Sequence, residues 1–68
     1  MTDFATHLRL ARPGSPWRLM GRFSRREDAD EDYGALLRNF PDCEVRLTRG
    51  DAVLMSAGPA RRNDDGRA

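Results

Sequence analysis

Lysine is absent from this 68-residue chain, and cysteine and histidine occur once each. Every fixed positive charge is therefore a guanidinium, a planar fork suited to bidentate contacts with carboxylate or phosphate. A GC-rich coding bias produces the same composition. With Cys43 alone, no internal disulfide can form and no cysteine-based metal site can be built. His7 has no second histidine at ligand spacing and falls on the polar side of its strand, where a solvated ring is the plain reading. A catalytic base needs an acid or nucleophile beside it, and none is in view. No apolar run approaches the length that crosses a bilayer. Met1 to Arg9 lacks a basic start followed by an apolar stretch. The sequence is thus read as that of a soluble, cytoplasmic protein. Gly14, Gly21 and Gly34 are isolated, and none opens a helix after a strand as a phosphate-binding loop requires.

Charge is also nearly missing in sum. Twelve basic and eleven acidic residues leave a formal net charge of +1, so no general polyanion-attracting field is expected. From Gly58 to Ala68 no apolar side chain exceeds alanine. That segment cannot offset its ordering entropy by burial and is read as a disordered tail, 58–68. The remaining residues, 1–57, form one domain, of a size at which a core supplies only about 3–5 kcal/mol of net stability.

What is present is a pattern of short elements. Ser24-Arg25-Arg26-Glu27 has the spacing of a capping box, in which hydroxyl and carboxylate each satisfy the other residue's backbone N–H. Ala29, Tyr33, Leu36, Leu37 and Phe40 follow at helical spacing. Asn39 suits a left-handed helix end, and Pro41 forbids continuation. These signals predict a helix over 25–38. The acidic group Glu27, Asp28, Asp30, Glu31 and Asp32 complements the positive end of the helix dipole, each worth about 0.3–1 kcal/mol, and is read as a solvated face.

Strands flank the helix. Leu8 and Leu10 alternate with His7, Arg9 and Ala11. Trp17, Leu19, Gly21 and Phe23 alternate with Arg18, Met20 and Arg22, and Cys43, Val45 and Leu47 with Glu44, Arg46 and Thr48. Pro13-Gly14 predicts a type II turn between the first two strands. Gly50-Asp51 predicts a type II′ hairpin leading to a short last strand, 52–56. Gly21, on the side facing the helix, is expected to permit close approach. Arg49-Gly50-Asp51, a tripeptide also used in cell adhesion, is read as that hairpin turn. The fold class is α+β: a small two-layer β-β-α-β(-β) sandwich, one helix packed on a three- or four-stranded mixed sheet. The second and third strands are expected to run parallel through a right-handed crossover, with the first strand either outside the second or between the second and third.

Strict alternation puts Leu8, Leu10, Trp17, Leu19, Phe23, Val45 and Leu47 under the helix and leaves Arg9, Arg18, Met20, Arg22 and Arg46 on the open face. Val53 and Met55 join them if the hairpin register permits. Arginine around a small apolar centre matches the composition of protein-binding patches. The aromatics fall on the core side in this reading, so base stacking has no visible means. The chain is therefore read as a non-catalytic protein-binding module: an accessory subunit, adaptor or inhibitor of the small kind common in bacterial and phage genomes. Its partner is another protein or a second copy of itself, met through the Arg-rich face or a sheet edge. Nucleic-acid binding through Arg–phosphate contacts is the alternative. No cofactor, metal, membrane or small-molecule substrate is called for.

The stretch Gly21-Arg22-Phe23-Ser24-Arg25-Arg26-Glu27-Asp28-Ala29 resembles the strand-to-helix junction of the sporulation-related repeat domain, a peptidoglycan-binding family. The resemblance covers one half-repeat, Trp17 to about Leu47. The second half-repeat is absent, and Leu19 stands where that family usually carries glutamine. Membership is not inferred from it.

Overall fold

The computed structural model describes residues 3–59. Its elements are β1 (Phe4–Leu10), β2 (Arg18–Phe23), α1 (Arg26–Asn39), β3 (Cys43–Arg49) and β4 (Ala52–Ala57). They form an α+β fold, one helix packed on a four-stranded open sheet in the order β2-β1-β3-β4. Of the expected tail, Gly58 and Pro59 have no regular structure, and 60–68 lie outside the described residues.

Every neighbouring pair is antiparallel, so the expected mixed sheet is corrected. β2 and β3 do point the same way, but β1 lies between them and bonds to both. β1 and β3 pair without a break from Phe4↔Arg49 to Leu10↔Cys43. That uninterrupted ladder occupies the edge of β3 that a parallel β2 would need.

The helix covers one face. Thr6 and Leu8 from β1, Cys43, Val45 and Leu47 from β3, and Ala29, Tyr33 and Leu36 from α1 are buried together. Phe4, Phe23, Leu37, Met55 and Ala57 pack around them, half-buried. The Thr6 hydroxyl donates to the Asp32 carboxylate at 2.7 Å, which lets one polar residue sit fully buried beneath the helix. Phe40, assigned to the apolar stripe by spacing, is 41% exposed, because the helix ends at Asn39 before its stripe returns to the sheet. Gly21 faces the helix side, opposite Thr6. The space its missing side chain leaves is taken by the Phe23 ring, 2.8 Å from where a Cβ would stand, rather than by the helix backbone.

Both helix ends differ from expectation. The N-cap position falls on Arg25, with no side-chain cap hydrogen bond, so the Ser24–Glu27 capping box does not form. β2 ends at Phe23, and the first helical hydrogen bond runs from Ala29 N–H to the Arg25 carbonyl, one residue beyond Ser24, while Glu27 approaches Arg25 at 3.5 Å. At the other end no non-glycine residue has positive φ, so Asn39 stays helical. The chain turns off at Phe40, whose N–H donates to the Leu36 carbonyl at 2.9 Å.

The turns match their residues. Gly14 has φ 81° and Ser15 N–H donates to the Arg12 carbonyl at 3.3 Å, as a type II turn requires. Gly50 has φ 61° while Asp51 stays negative, the sign pattern of a type II′ hairpin.

Candidate protein-binding face

The face away from the helix carries the polar side chains of the sheet, and two bulges decide which ones. In β2, Thr6 pairs with Gly21 but His7 pairs with Leu19, so Met20 is an extra residue. In β4, Leu47 pairs with Met55 but Thr48 pairs with Val53, so Leu54 is extra. An extra residue reverses the facing of everything beyond it.

Of the five arginine and methionine positions assigned to this face by alternation, Arg9, Arg22 and Arg46 lie on it, opposite or beside Ala5, His7 and Glu44 in the ladders. Arg18 does not: it pairs with Leu8, in the row that faces the helix side, though its side chain is exposed. Met20 is the bulge residue itself and belongs to neither row. Leu19, expected under the helix, pairs with His7 on the open face and is 52% exposed, and Leu10, expected there too, is 46% exposed because it ends the β1–β3 ladder opposite Cys43. Val53 joins this face opposite Thr48, while Met55 turns to the helix side opposite Leu47.

The largest correction concerns Trp17. It lies on the open face, with the Arg46 guanidinium carbon 4.2 Å and that of Arg9 4.6 Å from the ring centroid. The β2 bulge explains the placement, since continuing the His7↔Leu19 and Leu8↔Arg18 register brings Trp17 opposite Arg9. The local sequence marks the bulge only by Gly21 beside it, because Trp17 to Phe23 otherwise alternates without interruption. Each guanidinium over an indole gains on the order of 0.5–2 kcal/mol, more as the site is desolvated.

Around the indole the polar groups are unevenly satisfied. Arg9 Nε donates to Glu44 Oε1 at 2.6 Å, so its charge is compensated. Among the described residues Arg46 forms no ion pair, and its Nε is buried without a hydrogen-bond partner. His7 Nε2 lies 3.1 Å from the Thr48 hydroxyl. Burial, and then the nearby Arg46 charge, hold the His7 imidazole below its ordinary 6.5, so a second positive charge beside Arg46 is disfavoured.

Two shallow hollows indent the face. One, about 460 Å³, is lined by Ala5, His7, Leu19, Arg22 and Thr48, with Asp3 and Gly50 at its end. The other, about 380 Å³, lies between Trp17, Arg46, Val53 and Ser56. Among the described residues no three His, Cys, Asp or Glu side chains converge as a metal site. Among them, too, no helix is long and apolar enough to cross a membrane. No protein-family model matches the chain, and neither does any curated protein or solved structure.

Proposed function

We propose that the chain is a non-catalytic cytoplasmic protein-binding module, an accessory subunit, adaptor or inhibitor, that docks an acidic protein surface on its open sheet face. The observation that carries this reading is Trp17 lying between Arg9 and Arg46 on a face the helix leaves bare. Tryptophan and arginine are the residues most enriched among those that dominate interface energies. Leu19 and Val53, each 52% exposed, supply apolar area to either side. Arg22 and Arg46 supply charge that no ion pair among the described residues engages, and Arg46 retains an unused buried donor. Stacking on the indole also restricts the Arg46 side chain before any partner arrives, which lowers the entropy cost of a bidentate contact.

The test is affinity capture from the native organism with wild type, with Arg22→Glu/Arg46→Glu, and with the helix control Arg26→Glu/Arg38→Glu. A partner whose affinity falls at least about tenfold for the face variant and not for the control supports the reading. Equal capture by all three overturns it.

Trp17 also favours a second reading, single-stranded nucleic acid, because an aromatic beside arginine on an open sheet can stack a base. The near-zero net charge weighs against it. A mobility shift at low salt, lost in Trp17→Ala, would replace the first reading with this one.

A further inference from the structure

The two edges of the sheet are unlike. β2, at one end, is Arg-Leu-Met-Gly-Arg-Phe, with charges at Arg18 and Arg22. β4, at the other, is Ala-Val-Leu-Met-Ser-Ala, with no charge and no proline. An edge strand offers a row of unpaired N–H and C=O groups, and proteins that must stay single guard such rows with charge, proline or bulges. Each edge has one bulge, so bulging does not distinguish them. Charge does. Val53 is 52% and Leu54 38% exposed on this uncharged strand.

Cover differs in the same sense. The helix lies across β1, β2 and β3, leaving β4 at its margin. Met55 and Ala57 face the helix side, opposite Leu47 and Val45, yet both are only half-buried. Among the described residues β4 therefore lacks a neighbour along its outer edge and a full roof above it.

We infer that β4 pairs with β4 of a second copy, antiparallel about a twofold axis, to make one continuous eight-stranded sheet. The occupant follows from charge. Twofold antiparallel pairing brings each strand residue beside another residue of the same strand. In β4 all such partners are neutral, and the Asp51 turn of one copy falls beyond Ala57 of the other. The same operation on β2 would gather four guanidinium groups, Arg18 and Arg22 of each copy, along one six-residue seam. A six-residue strand with Val53, Leu54 and Met55 buries less than the roughly 800 Å² per partner of a standard interface, so dissociation is expected in the micromolar range. This interface is independent of the open-face reading, and the two faces are kept apart in the test below.

Sedimentation equilibrium of the full chain from about 1 to 500 μM spans that range. The expected result is a monomer–dimer equilibrium weakened at least about tenfold by Leu54→Lys, a charge placed on the edge. Ala52→Lys repeats the test from a β4 position off the open face, opposite Arg49, and circular dichroism verifies that both variants fold. Arg22→Glu/Arg46→Glu leaves the dimer constant unchanged if β4 is the contact. In wild type, amide exchange in β4 slows as concentration rises. A chain monomeric throughout overturns the inference. So does a dimer indifferent to both lysine variants, or one broken by the Arg22/Arg46 pair.

Discussion

At the residue scale, the informative pair is His7 and Arg46. They are direct partners in the β1–β3 ladder, on the same face, and the Arg46 charge adds to burial in keeping the imidazole neutral. The unfolded chain consequently binds a proton that the folded chain resists. Above the ordinary 6.5 the ring is neutral in both states and nothing is lost. As pH falls through 6.5, the unfolded state gains a proton first, and stability declines until the folded ring itself protonates. The urea midpoint is expected to drop between about pH 7 and pH 5.5, and His7→Gln to flatten that part of the profile. Arg46→Met should raise the His7 titration midpoint followed by NMR, because it removes the charge and keeps most of the side-chain volume.

At the element scale, the helix is held by its sheet-facing stripe more than by its ends. Arg25 occupies the N-cap position and contributes no side-chain hydrogen bond there. Its ion pair with Glu27 is exposed at 3.5 Å and counts for little. Arg25→Ser should therefore stabilise the fold by about 0.5–1.5 kcal/mol in chemical denaturation, by supplying the missing acceptor. This scale also separates what could be read in the sequence from what could not. The helix, both turns and the alternating residues of β1 and β3 were legible, because hydrophobic period and Pro/Gly placement act locally. The Ser24 cap was not, since the residue spacing does not show that the first helical turn closes on the Arg25 carbonyl, one residue later. Trp17, Leu19 and Arg18 were assigned to the wrong faces because Met20 is an unpaired insertion inside a perfect alternation. Arg9, Arg22 and Arg46 kept their faces, lying where no bulge intervenes between them and the core rows. Strand order was illegible for a different reason: hydrogen bonds between β1 and β3 span a long stretch of chain and leave no local mark.

At the scale of the whole molecule, the core is small and its centre is on one strand. Val45 and Leu47 are fully buried, and β3 is flanked on both sides within the sheet. Leu47→Ala is expected to cost about 2–5 kcal/mol, against a total of about 3–5 kcal/mol for a core of this size. The variant should be largely unfolded by circular dichroism at 25 °C, whereas a cooperative melt like that of wild type would mean the fold draws stability from elsewhere. The charge layout is equally uneven: acidic groups gather at the start of α1, while the bare side of the sheet holds Arg22 and Arg46. The chain contains a single tryptophan, and it lies on that bare side. Its ultraviolet emission is thus a built-in optical probe of one layer. Whatever settles over the two guanidinium groups must alter the polarity around the indole, so occupancy can be followed without attaching any dye.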